Sequence, residues 1–191
     1  MVKVMSKRRN FLVGHYYHVY NRGNDRQAIF FHHENYRHFL RLLRHYLVNR
    51  GIVIVAYCLM PNHYHLLVYL NSEELSQRMQ VFSMAYTKAI NERYERVGSL
   101  FQGRFQAIEV QDEAYLLHLT RYIHLNPVKA NLVARAEDWE FSSYREYVEL
   151  RGGSLPCRDR VEFGSAAIYR AFVEDGLSRF DRSIQGLMLD E

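Results

Sequence analysis

The sequence predicts an α+β fold: an antiparallel sheet carrying helices on one face, with one added helix and a helical C-terminal extension. Three observations support this reading. Short stretches rich in aromatic and β-branched residues, notably His15–Asn21 and Ile52–Met60, read as strands. The stretch Asn35–Arg50 places Phe39, Leu42, Leu43, Tyr46 and Leu47 at helical spacing. Pro61 and Asn62 break the apolar run between Ile52 and Leu70 so tightly that its halves should pair antiparallel.

The elements follow in order. His15–Asn21 is a strand, followed by a turn over Arg22, Gly23, Asn24 and Asp25. The helix over Asn35–Arg50 has Gly51 where a left-handed cap is needed. Ile52–Met60 and His63–Leu70 are the next two strands. Ser72, Glu73 and Glu74 open a second helix, which runs to about Tyr94 and has its acidic residues at the positive end of the helix dipole. After a loop over Val97–Ser99, Phe105–Val110 reads as a short strand. Asp112 can cap a further helix, expected to end at or very near Asn126 because Pro127 disfavours helical geometry in the residue before it. Strand, helix, strand, strand, helix, strand is the split βαβ, or ferredoxin-like, order. It puts helices on one sheet face and leaves the other open for a site. Beyond Val133 the pattern weakens, with a packing segment and short helix over Trp139–Tyr147 and another helix over Ala166–Asp175.

Composition narrows the functional classes. With 191 residues and 48% hydrophobic content, the chain suits one buried core and is not of a disordered type. Its longest apolar runs, such as Gly51–Met60, fall short of the roughly 20 residues that span a bilayer. The basic start, Met1–Asn10, leads into no apolar signal core, so no membrane partner is expected. Cys58 and Cys157 are too few and too far apart for a disulfide framework, which suggests a reducing, cytoplasmic setting. Charge is uneven: residues 1–104 hold 15 Lys/Arg against 6 Asp/Glu, while the remainder hold 10 against 15. The first half therefore projects a field suited to phosphates, although a solvated basic surface would look the same.

Two local patterns carry chemistry. In Met60–Val68 (MPNHYHLLV), His63 and His65 stand two apart on a strand and so share a face, while Tyr64 and Leu66 point into the core. Paired imidazoles can supply two metal ligands, although in a chain with ten histidines a structural pair is the commoner case on this pattern alone. In Thr120–Val128 (TRYIHLNPV), Tyr122 and Asn126 stand four apart and share a helix face. Asn126 offers an amide oxygen to a cation, and Tyr122 a phenol that becomes a strong nucleophile when a nearby cation favours its deprotonation. The bland alternatives are a helix-end hydrogen-bonder and a packed aromatic, one of fifteen tyrosines. Together the patterns describe two histidines and an amide holding a cation, with the phenol placed for in-line attack on a DNA phosphodiester.

At these residues the sequence resembles the single-domain tyrosine transposases of the HUH endonuclease superfamily, and within it the REP-associated tyrosine transposases. The similarity runs through Tyr17–Asn24, Met60–Val68, Gly103–Phe105, Tyr122–Val128 and Trp139–Tyr144, and so spans about 15–147. The resemblance implies His63 and His65 as metal ligands, Asn126 as the third ligand, Tyr122 as nucleophile, and Mg²⁺ or Mn²⁺ as cofactor. It implies a transesterase that cleaves and rejoins single-stranded DNA through a 5′-phosphotyrosine. The implied DNA partner carries hairpins, such as REP-like or insertion-element ends, and the enzyme would act as a monomer or homodimer. Residues 1–133 would form the catalytic domain and residues 134–191 an extension packing on it.

Further residues are weighed beside these. Arg22 and Arg26 flank the first turn as a candidate phosphate clamp, with Gly23 allowing close backbone approach to a partner. Arg104, after Gly103, is a similar candidate, and Lys7, Arg8 and Arg9 form a basic arm for DNA. Phe101 and Phe105 are expected in the core, Cys58 buried, and Trp139 anchoring the C-terminal segment. Tyr115 is the rival nucleophile, while His118 and His124 are candidate proton carriers. Two other functions remain open at this level: a domesticated DNA-binding protein without catalysis, and a metal-dependent nuclease that uses water.

Overall fold

The computed structural model describes residues 10–176. Its order is β1 (Tyr16–Arg22), α1 (His33–Tyr46), β2 (Ile52–Met60), β3 (His63–Leu70), α2 (Leu75–Arg93), β4 (Gln106–Val110) and α3 (Glu113–Lys129). Two short C-terminal helices follow, α4 (Tyr144–Tyr147) and α5 (Ala166–Asp175). The strands form one sheet in the order β2-β3-β1-β4, antiparallel throughout, which is the ferredoxin-like arrangement expected. The basic arm Lys7, Arg8 and Arg9 lies outside the described residues.

Local chemistry sets the boundaries. Asn35 accepts at Oδ1 from the backbone N–H groups of Phe31 and His32, which closes the first turn of α1. The helix ends at Tyr46, earlier than the spacing suggests, because a tighter turn over Val48–Arg50 takes up the chain. Gly51, at φ 81, then provides the left-handed step into β2.

Each sheet face builds its own core. On one face Tyr17, Val19, Tyr64, Leu66 and Val68 pack with Phe39 and Leu43 of α1 and Met79, Phe82 and Tyr86 of α2. On the other, Val55, Ala56, Cys58, Met60 and Leu67 pack with Leu116, Leu119 and Ile123 of α3. A bulge in β2 between Ile54 and Ala56 allows this. Ile52 and Ile54 face the first core, Val55 and Ala56 both face the second, and Tyr57 and Leu59 return to the first.

The second face is therefore not open, contrary to the sequence reading. Its strand residues are apolar between Val55 and Met60, and α3 with the C-terminal segment covers them. Nor does α3 stop before Pro127: it continues to Lys129, and Ala130 N–H reaches the Asn126 carbonyl at 2.9 Å. Proline inside a helix costs about 3 kcal/mol. Pro127 is itself buried and Val128 packs partly against the second core, and these contacts offset part of that cost.

The C-terminal segment fixes α3 in place. Trp139 Nε1 donates to the Leu59 carbonyl at 3.0 Å, as its anchoring role requires. Ser143 Oγ accepts from Tyr57 N–H at 2.8 Å. Buried His124 on α3 meets the Ser143 hydroxyl through Nε2 at 2.7 Å and the Tyr169 hydroxyl through Nδ1 at 2.6 Å. With both ring nitrogens engaged, His124 is a strut between α3, α5 and the sheet, not a proton carrier. No helix among the described residues is long and apolar enough to cross a membrane.

Burial lowers the His124 pKa from 6.5 to about 3. The unfolded chain therefore takes up a proton below about pH 6.5 that the folded chain refuses. Stability is full above that pH and falls on acidification toward pH 3, by about 1.4 kcal/mol per pH unit for one such group. His63 and His65, also lowered, add with the same sign. Thermal melts should show the midpoint dropping between pH 6.5 and 4, with a shallower slope in His124→Gln; equal slopes would contradict this account.

Candidate active site

The register of β1 against β3 sets out the site. His63 lies opposite Arg22, His65 opposite Tyr20, and Leu67 opposite His18, so their side chains stand on the α3 face. The His63 and His65 rings are 5.1 Å apart between centroids. His65 is fully buried, whereas His63 is half-buried and marks the open side.

α3 brings the other two residues to this pair. The Tyr122 ring lies 5.5 Å from the His65 ring, edge to face, and the side chain is 5% exposed. Asn126 is buried one turn later and donates from Nδ2 to the Tyr122 carbonyl at 2.9 Å. That leaves its Oδ1 toward His63, with which the amide interacts. His63, His65, Asn126 and Tyr122 thus meet within one chain. Tyr115, the rival, is half-buried in the packing of α3 two turns away, and His118 contacts Arg121 at 3.1 Å and the Phe172 ring.

Electrostatics keep the imidazoles neutral. Burial, then the Arg22 charge, lowers the His63 pKa to about 4, with the Asn126 amide acting the other way. Burial, then the neighbours His18 and His63, holds His65 well below its ordinary value. Neutral imidazoles keep the lone pairs that a metal ion needs. His63 Nδ1 meets Asn62 Oδ1 at 2.6 Å, so its proton sits there and Nε2 carries the lone pair. His65 Nε2 is buried without a hydrogen-bond partner, an unmet polar atom that a cation would satisfy. Among the described residues no group of three or more His, Cys, Asp or Glu could hold a metal. A cation here would depend on two imidazoles and the Asn126 amide, a set that favours Mn²⁺ or another first-row ion over Mg²⁺.

The arginines gather at the same end of the sheet. Arg22 donates from Nε to Gln102 and acts electrostatically on His63. Arg26 is exposed at φ 56, its carbonyl accepting from Asn62 at 3.3 Å. Arg104 is exposed beside Gly103, whose carbonyl accepts from Asn21 at 3.0 Å. Gly23 serves the chain itself and not a partner: a Cβ there would fall 2.0 Å from the Gln27 carbonyl oxygen. Phe101 is in the core, Phe105 packs on Phe11, and Cys58 is buried. Sequence reasoning gave no role to His18, whose Nε2 lies 3.0 Å from His65 Nδ1, or to Lys129, whose ammonium is 5.3 Å from the Tyr122 ring centroid. Cross-strand register would have revealed the first, and the extra turn of α3 past Pro127 the second.

The sheet thus presents two neutral histidines to a tyrosine and an amide carried on one helix. Residues 12–126 match the family described as IS200-like transposases, and the chain belongs to that family. It is 29% identical over 106 residues to a Haemophilus influenzae protein named as a candidate REP-associated tyrosine transposase. That match covers 50% of this chain and 60% of the relative, so the chain spans less than two thirds of that protein's length. Among solved structures, a REP-associated tyrosine transposase bound to a REP hairpin superposes with a TM-score of 0.62 at 21% identity. The superposition covers 84% of this chain and 98% of the other, and it shows the same fold.

An NMR titration of the histidine rings checks the electrostatics. His63 should be neutral and protonated at Nδ1 at pH 7, and should titrate near pH 4. A midpoint near 6.5 would mean that burial does not act on it.

Proposed function

We propose that the chain cleaves and rejoins single-stranded, hairpin-bearing DNA, with Tyr122 as nucleophile beside a divalent-cation site formed by His63, His65 and Asn126. The observation that carries this reading is the meeting of Tyr122 with the neutral histidine pair inside one chain, at 5.5 Å between the Tyr122 and His65 rings. The solved relative that shares this fold was captured with a REP hairpin, which supports REP-like or insertion-element ends as the DNA partner. All four residues come from one protomer, so a monomer can act in cis.

The chain's own groups account for each step. Arg22, Arg26 and Arg104 hold the strand's phosphates at the open end of the sheet. His63, His65 and Asn126 would hold the cation, Mg²⁺ or Mn²⁺, which when bound supplies Lewis-acid polarisation of the phosphodiester. The Tyr122 phenol loses its proton to water as its oxygen bonds to phosphorus. The bond from phosphorus to the 3′ oxygen breaks, and that oxygen takes a proton and leaves as a hydroxyl. The Lys129 ammonium, 5.3 Å from the ring centroid, adds positive charge beside the forming phenolate's ring. α3, fixed by the His124 strut, keeps Tyr122 at the reacting phosphate. The phosphotyrosine conserves the bond energy, so a later 3′-hydroxyl can displace the tyrosine and rejoin strands.

The test is a hairpin-bearing oligonucleotide incubated with the protein and Mn²⁺ and resolved under denaturing conditions. A covalent adduct should form, vanish with chelator, and be lost in Tyr122→Phe. An adduct that persists in Tyr122→Phe overturns the nucleophile. Cleavage without any adduct indicates a water-using nuclease, and metal-indifferent binding without cleavage indicates a DNA-binding protein. His65→Ala should lower Mn²⁺ affinity by more than the roughly 10–100-fold that losing an outer-shell partner costs.

A further inference from the structure

His18 belongs to the site by position but has no part in the reaction described above. It sits on β1 opposite Leu67, one step diagonally from His65, and both rings are fully buried. The rings stack at 5.1 Å with 20° between their planes, and His18 Nε2 lies 3.0 Å from His65 Nδ1. Two neutral imidazoles at that distance share one proton, so one donates and the other accepts.

The two ways of sharing it differ in what they leave behind. If His18 donates, the proton of His65 sits on Nε2, and that atom then has no lone pair to offer a cation. If His65 donates from Nδ1, its Nε2 carries a lone pair at the same position, which a cation can meet. We propose that His18 is a positioning residue that accepts the Nδ1 proton of His65 and so holds the His65 Nε2 lone pair toward the site. The inference rests on the reading of His63, His65 and Asn126 as a cation site.

The arrangement is a paired one. Asn62 does for His63 what His18 does for His65: each meets the ligand's Nδ1, at 2.6 Å and 3.0 Å. Both acceptors are neutral. A carboxylate in place of His18 would orient His65 equally well, but would put a buried negative charge beside a site that must attract a phosphodiester. A neutral imidazole sets the ring's tautomer and leaves the positive charge of the cation intact. Because His18 and His65 lie on paired central strands, their contact is held by the sheet and not by a loop.

Two variants and a spectroscopic readout on metal-free protein test this. His18→Leu keeps bulk and removes the acceptor, whereas His18→Gln restores one. Long-range ¹H–¹⁵N spectra of the wild type should show His65 protonated at Nδ1, and His18→Leu should shift it toward the Nε2-protonated form. Mn²⁺ affinity, followed by electron paramagnetic resonance, should fall roughly 10–100-fold in His18→Leu and recover in His18→Gln. A wild-type His65 protonated at Nε2 overturns the proposal, and does so even if His18→Leu does not fold. So does wild-type affinity in a folded His18→Leu when His63→Ala has lost Mn²⁺ binding. Wild-type protein that does not bind Mn²⁺ at all overturns the cation site itself, and this proposal with it.

Discussion

The site depends on how α3 is seated across the second face of the sheet. A helix cannot hold a side chain to within the tolerance of in-line chemistry unless both its rotation and its axial position are fixed. Apolar packing of Leu116, Leu119 and Ile123 sets the rotation only loosely, because such contacts are non-directional. The buried His124 contacts to Ser143 and Tyr169 are directional and fix the axial position. Ser143 is bonded to β2 and Tyr169 belongs to α5, so a segment distant in sequence holds the helix that carries Tyr122. The C-terminal residues would thereby contribute to the proposed chemistry without touching it.

The histidine pair divides two tasks between a sealed and an open position. His65 is fully buried and held on a central strand, while His63 is half-buried beside Arg22. Both are kept neutral mainly by burial, and Arg22 assists at His63. The arginine proposed to hold a phosphate strand therefore also discourages a proton on His63. Because the imidazoles themselves stay neutral, their lone pairs remain free for the proposed cation.

Much of this was legible in the sequence, for physical reasons. The strand and helix periods of His15–Asn21, Ile52–Met60 and Asn35–Arg50 are local and strong, and with them the strand order follows. The facing of His63 and His65 follows from a two-residue repeat, and that of Tyr122 and Asn126 from a four-residue one. What was not legible depends on tertiary contact. Pro127 looked like a stop, but it is itself buried and Val128 packs partly against the second core, so α3 runs on to Lys129. Gly23 looked like room for a partner and is filled by the chain's own Gln27 carbonyl. His18 had no visible role because its neighbour is 47 residues away, and only the pairing of β1 with β3 brings them together. The open sheet face was a reasonable expectation for a bare split βαβ unit, and the added helix removed it.

The irregularity in β2 lets a single strand serve two masters. Upstream of Val55 the even-numbered residues look toward α1 and α2, and downstream the odd-numbered ones do. Straightening the strand there with every residue kept would impose strict alternation and turn Tyr57 and Leu59 outward against α3, while Cys58 and Met60 rotated under α1 and α2. Trp139 and Ser143, which grip the backbone of that stretch, would find their partners displaced. The single irregular step in β2 is thus what keeps the two halves of the molecule in phase.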